Sequence, residues 1–162
     1  MEIRLFQPQD VEPIAQLFHD TVHRINAQDY SPAQLEAWAP ANLHFRNWLE
    51  ACSARVTYVA EEQGVVMGFA ELETTGRIDC FYCHASYQGC GIGTQLYQAL
   101  EAKALSLGIK HLTTEASITA QGFFTKMGFT LLQEQRVLCR GQSFVNYQMA
   151  KCLEPATRTN PS

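Results

Sequence analysis

A glycine-rich segment in the middle of the chain, Gln88-Gly-Cys-Gly-Ile-Gly-Thr94, constrains the fold more than any other feature of the sequence. It follows a predicted strand over residues 77–84 and opens a predicted helix that runs to about Leu107. Glycine reaches positive φ at little cost, so successive backbone N–H groups can converge on one point. At a helix start, the helix dipole adds partial positive charge there. The segment therefore predicts a strand, a loop and a helix that bind a phosphate or pyrophosphate.

Two common nucleotide-binding motifs fit this segment poorly. The Walker A loop ends in Gly-Lys-Ser/Thr, and no such triplet follows. The dinucleotide fingerprint G-x-G-x-x-G would begin at Gly89, and Thr94 would then occupy the place of its third glycine. That fingerprint also belongs to an early βαβ unit, whereas this segment follows a predicted antiparallel meander. A simple turn before an ordinary helix would also account for the glycines.

Two linked motifs resemble the GNAT superfamily of acyl-CoA-dependent N-acetyltransferases. The spacing Gln88-x-x-Gly91-x-Gly93 is similar to that family's pyrophosphate loop, Gln/Arg-x-x-Gly-x-Gly/Ala. Residues 76–88 resemble its fourth strand and the turn into the loop. Residues 117–129, Ser-Ile-Thr-Ala-Gln-Gly-Phe-Phe-Thr-Lys-Met-Gly-Phe, resemble its Asn-x-x-Ala-x-x-Leu/Phe-Tyr-x-Lys-x-Gly-Phe segment. The resemblance covers residues 2–153, nearly the whole chain.

The resemblance implies an α+β fold in which a seven-stranded mixed sheet carries helices on both faces. Its central strands, four and five, should run parallel and splay apart. Periodicity and turn residues predict strands at 3–6, 56–62, 65–74, 77–84, 110–116, 129–139 and 143–151, and helices at 11–26, 32–38, 42–52, 92–107 and after Ser117 or Thr119. We expect residues 1–153 to form one domain and residues 154–162 to form a flexible tail.

Composition excludes several classes of protein. The net charge of −4 leaves no basic surface of the kind that binds nucleic acid, and it mildly favours a cationic or amine substrate. No apolar run reaches the roughly 18 residues that indicate a membrane span, and the N-terminus lacks the pattern of a signal peptide. We therefore expect a cytoplasmic monomer or homodimer that acts without nucleic acid or membrane.

The six cysteines are expected to be reduced thiols, because no secretion signal is present. Cys80-x-x-Cys83 has the spacing of a metal or redox pair. In a strand, however, residues three apart point to opposite faces, and His84 would share a face with Cys80 only. We expect no metal site.

The resemblance also implies the co-substrate, acetyl-CoA, and its position. The pantetheine arm would enter the gap between strands four and five and bond to the free backbone of strand four. The pyrophosphate would lie on the loop N–H groups, with Gln88 closing the start of the loop. The residues assigned to the cofactor are Phe81, Tyr82, Cys83, Gln88, Gly89, Cys90, Gly91, Ile92, Gly93, Thr94, Ser117, Phe124 and Lys126.

Acetyl transfer by direct attack needs a base for the amine, a donor for the oxyanion and a proton for the leaving thiolate. The oxyanion donor is expected to be a backbone N–H near Tyr82 or Cys83. Where the family carries a thiolate-protonating tyrosine, this chain has Phe124. Tyr82, Ser117 or Tyr147 would take over that role, or water would, or the thiolate would leave unaided. Alternatively, Phe124 only packs beneath strand five.

Four acids are candidates for the base: Glu71, Glu73, Asp79 and Glu115. We favour Asp79, because it lies just before the cofactor-contacting segment and strand alternation places it on the face of Phe81. An Asp at a strand end can equally be structural. His19, His23 and His84 are further candidates.

The acceptor site is expected between strands one and two, where residues 29–38 combine aromatic and acidic side chains in a Pro-bounded helix. Tyr30 and Trp38 would line an amine pocket, or would merely attach this helix to the core. The acceptor itself is left open among small amines, antibiotic-like compounds, amino acids and protein N-termini. Two other functions remain: a catalytically weak acyl-CoA-binding sensor or partner domain, and a different nucleotide-phosphate binder.

Overall fold

A computed structural model describes residues 1–153, in which seven strands form one mixed sheet in the order β1-β2-β3-β4-β5-β7-β6. The strands are β1 (Glu2–Leu5), β2 (Val56–Glu62), β3 (Val65–Leu72), β4 (Arg77–Cys83), β5 (His111–Ser117), β6 (Thr130–Cys139) and β7 (Gln142–Cys152). The helices are α1 (Val11–Arg24), α2 (Pro32–Trp38), α3 (Trp48–Ala54), α4 (Ile92–Ser106) and α5 (Gln121–Lys126). The predicted flexible tail lies outside the described residues.

The predicted fold class is confirmed, although one helix is shorter than expected. Residues 42–47 form turns, and α3 begins only at Trp48. The side chain of Asn47 accepts a hydrogen bond from the backbone N–H of Glu50 at 3.1 Å, which caps the helix at this point. The indole of Trp48 donates to the carbonyl of Leu43 at 2.9 Å, so the preceding turns are fixed against the helix.

Each face of the sheet has its own core, as the prediction of helices on both faces requires. On one face, α1 and α3 pack on β2–β4 through residues such as Phe18, Trp48 and Phe69. On the other face, α4 crosses β2–β4 and buries Leu96 and Leu100 completely. The longest described helix, α4, has 15 residues, and none of the described helices has the length and apolarity to span a membrane.

The parallel strands β4 and β5 separate soon after they meet, as predicted. They pair only through Arg77 with Thr113 and Ile78 with Thr114. Beyond these pairs, β4 continues to Cys83 without pairing with β5. The edge of β4 therefore presents backbone groups that no neighbouring strand uses.

An irregularity in β4 changes which of its side chains share a face. The register against β3 shifts so that Asp79 and Cys80 together oppose the single residue Glu71, which is the pattern of a β-bulge. Asp79 consequently lies beside Glu71 and bonds to Arg46, whereas Phe81 packs on the opposite face among α4 and α5. The prediction that Asp79 shares a face with Phe81 is therefore wrong, because the bulge reverses the alternation between them.

Candidate active site

The separation of β4 from β5 opens a cleft of about 200 Å³, which we call the β4–β5 cleft. Seven of the residues predicted to hold the cofactor line it: Phe81, Tyr82, Cys83, Gln88, Gly93, Ser117 and Phe124. Gly93 also belongs to the glycine-rich loop, so the loop lies at the edge of the cleft. The structure thus brings the two motifs of the sequence to one site.

Different structural features favour glycine at the three loop positions. Gly89 and Gly91 have φ of +76° and +81°, and a Cβ added to either would meet no atom within 4 Å. Glycine is favoured at these two positions because the backbone is left-handed there, and the space next to each Cα is open. Gly93 lies inside α4, where an added Cβ would come within 3.0 Å of the Phe123 ring. Its missing side chain allows α5 to pack on α4. Ile92, 3% exposed, anchors the loop in the core.

Along β4, the N–H and C=O groups of successive residues point alternately to β3 and to the cleft. The N–H of His84 donates to the carbonyl of Met67 in β3 at 2.7 Å. Because successive residues of a strand point their backbone groups to opposite edges, the N–H of Tyr82 also points to β3, and those of Phe81 and Cys83 point to the cleft. The predicted oxyanion donor is thereby narrowed to Cys83, and Tyr82 loses its expected backbone role.

Two side chains satisfy the Cys83 carbonyl, which lies on the cleft edge. Gln88 donates from Nε2 to this oxygen at 2.9 Å and to the carbonyl of His84 at 3.2 Å. The hydroxyl of Thr21 in α1 donates to it at 2.9 Å. Gln88 therefore does close the start of the loop. The part played by Thr21 was missed, because nothing in its local sequence distinguishes it from other helical threonines.

A second cavity, of about 470 Å³, opens on the α1–α3 face of the sheet, and we call it the aromatic cavity. Its aromatic wall consists of Phe18, Tyr30, Trp38, Phe45, Tyr82 and Phe144. Five residues line both it and the β4–β5 cleft: Trp38, Asp79, Tyr82, Glu115 and Ser117. The two spaces therefore meet where the sheet separates.

Tyr30 lines the aromatic cavity, but its hydroxyl already makes two hydrogen bonds within the protein. It donates to the carbonyl of Val145 at 2.8 Å and accepts from the N–H of Ile118 at 2.9 Å. Its ring meets the ring of Trp38 edge-on at 5.2 Å. Burial raises the pKa of the phenol, which keeps the donated proton in place. Tyr30 thus joins the segment before α2 to the ends of β5 and β7.

Replacing Tyr30 with phenylalanine is expected to lower the free energy of unfolding by about 1–3 kcal/mol, because Ile118 and Val145 each lose a hydrogen-bond partner. Urea denaturation followed by circular dichroism measures this difference. Tyr87→Phe is the matched control, since Tyr87 is 40% exposed. Equal stability of the two variants would show that the Tyr30 hydroxyl does not hold the segment.

Three arginines surround the carboxylate of Asp79. Arg46 and Arg55 each approach its Oδ2 at 3.2 Å, and Arg77 approaches Oδ1 at 3.4 Å. Arg46 also makes a bidentate pair, both distances 2.8 Å, with the completely buried Glu71. Both oxygens of Asp79 are therefore engaged by guanidinium groups.

The same region brings three potential metal-ligand atoms, from Glu71, Asp79 and Cys80, within 4.8 Å of one another. The two carboxylates are already paired with Arg46 and Arg55. Burial raises the pKa of the Cys80 thiol well above its ordinary value, which disfavours the thiolate that a metal needs. These contacts describe an ion-pair cluster in which guanidinium groups already engage both carboxylates.

Glu115 and Ser117 lie two residues apart on the cavity face of β5. Oε2 of Glu115 accepts from Nε of Arg77 at 2.9 Å, and Oε1 has no partner among the described residues. Oγ of Ser117 accepts from the N–H of Ala120 at 3.0 Å, so its own O–H remains available as a donor. The junction of cleft and cavity therefore offers one free carboxylate oxygen and one free hydroxyl proton.

Asn146 continues this polar row onto β7. It pairs in register with Ser117 on one side and Gln135 on the other, so the three side chains share the cavity face. Oδ1 of Asn146 is buried and has no hydrogen-bond partner within the described part of the chain. Leaving such an acceptor unsatisfied costs about 1–3 kcal/mol. Asn146 lines the aromatic cavity, so a water or a bound molecule in this cavity can donate to its Oδ1.

The groups considered for protonating a leaving thiolate differ in position. Phe124 is 3% exposed and packs on the Phe81 and Phe129 rings at 5.7 and 5.2 Å, so it forms the apolar floor of the cleft. Tyr147 packs with the α4 core and lines neither space. Tyr82 lies at the junction, where burial raises the pKa of its phenol well above the ordinary value, so the phenol keeps its proton.

Several predicted residues lie away from both spaces. Lys126 is exposed in the last turn of α5. Nδ1 of His84 accepts from the backbone of the next turn at 3.1 Å. His19 and His23 stack on each other at 4.3 Å on α1. None of these four side chains lines the cleft or the cavity.

Comparison with known proteins gives consistent results. The model of the acetyltransferase (GNAT) domain matches residues 26–151. The chain is 32% identical over 149 residues to YafP of Escherichia coli K12, an uncharacterized N-acetyltransferase, covering 92% of this chain and 94% of YafP. A GCN5-related N-acetyltransferase from Rhodopseudomonas palustris superposes with a TM-score of 0.88 at 36% identity, covering 94% of this chain and 95% of that one. PaiA N-acetyltransferase from Thermoplasma acidophilum, solved with coenzyme A, superposes with a TM-score of 0.78 at 18% identity, covering 93% and 98%.

Proposed function

Because the chain belongs to the GNAT superfamily of N-acetyltransferases, we propose that it transfers the acetyl group of acetyl-CoA to a primary amine by direct attack in a ternary complex. One observation carries this proposal: the β4–β5 cleft, which opens beside the glycine-rich loop, meets the aromatic cavity at five shared residues. A donor in the cleft and an acceptor in the cavity would therefore meet at the junction.

In this proposal acetyl-CoA is held mostly by backbone. The pyrophosphate would bind the N–H groups of residues 89–94 at the start of α4, where the helix dipole favours negative charge. The pantetheine amides would pair with the free edge of β4 at Phe81 and Cys83. The Cys83 N–H would also be near the thioester, where it supports the oxyanion of the tetrahedral intermediate.

Glu115 is the base that the contacts favour over Asp79. The amine nitrogen attacks the thioester carbon, the carbon–sulfur bond breaks, and the nitrogen loses one proton. Oε1 of Glu115 would accept that proton, directly or through water, since both oxygens of Asp79 are held by arginines. Asn146 would position the amine by accepting one of its N–H bonds at Oδ1. The thiolate would take a proton from Tyr82, Ser117 or water.

No cysteine is expected to form an acetyl-enzyme. Cys83 lines the cleft, but burial raises the pKa of its thiol to about 12, so only about one molecule in 10⁵ carries the thiolate at pH 7. Intact-protein mass spectrometry after incubation with acetyl-CoA, without acceptor, should show no added acetyl group. A stoichiometric, hydroxylamine-sensitive adduct on Cys83 or Cys90 would contradict direct attack.

The decisive test of the proposal combines binding with turnover. Thermal unfolding is measured with acetyl-CoA, NAD and ATP, and release of the CoA thiol is measured across a panel of amines. A true ligand at 100 times its dissociation constant stabilises the fold by about 2.7 kcal/mol. Stabilisation by NAD or ATP instead of acetyl-CoA would contradict the donor assignment. Binding of acetyl-CoA without turnover would favour an acyl-CoA sensor, the alternative that Phe124 in place of tyrosine permits.

A further inference from the structure

Arg140 occupies a strained position at the turn between β6 and β7. Cys139 pairs with Gln142, so Arg140 and Gly141 form a two-residue turn with φ of +45° and +80°. The first position of such a turn normally holds Asn, Asp or Gly, because a longer side chain is disfavoured in left-handed backbone. Strain of this kind persists only where surrounding contacts hold the residue in place.

The contacts of the Arg140 guanidinium hold it in the wall of the aromatic cavity. Its Nη1 donates to the carbonyl of Ala37 at 2.8 Å and approaches Sγ of Cys139 at 3.2 Å. Its Cζ lies 4.7 Å from the centre of the Phe45 ring, in cation–π geometry. These contacts fix the plane of the group and leave Nε and Nη2 without partners among residues 1–153.

The charge of Arg140 also sets it apart from the other arginines of the cavity. Arg46 and Arg77 are each paired with two or more carboxylates. Arg140 has no carboxylate partner in the part of the chain that the structure describes, although it lines the same cavity. An oriented, unpaired guanidinium presents a fork of N–H groups that matches a carboxylate or another oxyanion.

From these contacts we propose that the acceptor is an amine that also carries an anionic group, and that Arg140 binds this group. The inference rests on the proposed function, which places the amine near Glu115 and Asn146. Between the two ends lies the aromatic wall, which suits an apolar or aromatic body. The acceptor class is therefore an amine whose carboxylate or phosphonate is separated from the amino group by an apolar or aromatic body, and Arg140 determines specificity without taking part in bond making.

The test uses two matched pairs of amines that differ only in a carboxylate at the far end of the ring: benzylamine with 4-(aminomethyl)benzoate, and phenethylamine with 4-(2-aminoethyl)benzoate. The full chain and its Arg140→Gln variant are compared in kcat/KM, and in binding to the protein loaded with CoA. In at least one pair, the carboxylate is expected to improve both quantities by about 10- to 100-fold for the parent. Arg140→Gln should lose this preference, so that the carboxylate no longer improves either quantity over the neutral amine.

Arg136→Gln is the matched control, because Arg136 is an exposed arginine of β6, the strand that leads into this turn, and it lines neither space. It should keep the preference for the carboxylate. A parent that treats both members of each pair alike, or an Arg140→Gln variant that keeps the preference, overturns the inference. Selective binding of the carboxylate without any turnover would support it while contradicting the proposed function.

Discussion

Replacing Gly91 with aspartate is expected to abolish binding of acetyl-CoA while the fold survives. The Cβ of residue 91 would enter open space at the start of α4, where the pyrophosphate is proposed to lie. A carboxylate about 4 Å from a phosphate charge costs about 4 kcal/mol at an effective dielectric constant of 20, close to a thousandfold in affinity. Isothermal titration calorimetry measures the loss, and circular dichroism checks the fold.

Two further variants separate charge from backbone strain. Gly91→Asn has nearly the same size and tolerance of positive φ, but no charge, so it should retain much of the affinity. Gly108→Asp introduces the same residue at another glycine with positive φ, +74°, and open surroundings, beyond the far end of α4. It should bind acetyl-CoA as the parent does. Unchanged affinity in Gly91→Asp would remove the loop from the cofactor site.

Replacing Glu115 with glutamine is expected to lower kcat by about 10²- to 10⁴-fold, the usual contribution of a general base. The affinity for acetyl-CoA should stay the same, because the expected cofactor contacts are made by β4 and the loop. Activity should recover in part at high pH, where the amine is neutral before it binds. Steady-state kinetics between pH 6 and 10 provide the measurement.

Asp79→Asn is the informative comparison. Since its carboxylate balances Arg46, Arg55 and Arg77, its removal should destabilise the fold and affect kcat much less than Glu115→Gln does. If instead Asp79→Asn loses activity with a normal melting temperature, while Glu115→Gln stays active, then Asp79 is the base and the assignment made from the contacts is wrong.

The β4–β5 cleft and the loop beside it could be predicted because their residues are close together in the sequence. The residues from Gln88 to Thr94 combine glycine conformations, a helix start and a side chain that closes the loop, all within one short stretch. The adjoining strand and the segment that begins at Ser117 occur at fixed distances along the chain. Local physics predicted the strand, the loop and the helix start, and the resemblance of these linked motifs to the GNAT superfamily implied the fold class and the gap between strands four and five.

Of the residues that line the aromatic cavity, Tyr30 and Trp38 were predicted, but the polar ones from β6 and β7 were not, because they meet only through strand register. Asn146, Gln135 and Arg140 come from a hairpin whose polar positions look in sequence like an ordinary solvated face. Arg46 lies in turns that were predicted to be helical. The bulge at Asp79 was equally invisible, since no glycine or proline marks the extra residue, and one extra residue is enough to reverse strand alternation.

The place where β4 and β5 separate also divides the strands that are synthesised first from those that are synthesised last. Strands β1 to β4 all come from residues 2–83, whereas β5, β6 and β7 come from residues 111–152. A ribosome releases the first group before the second exists, and the N-terminal strands can pair with one another at once. Neither the cleft nor the aromatic cavity has both walls until the last strands arrive. If acetyl-CoA binds as proposed, it would have no complete site on a growing chain and would stabilise only finished molecules.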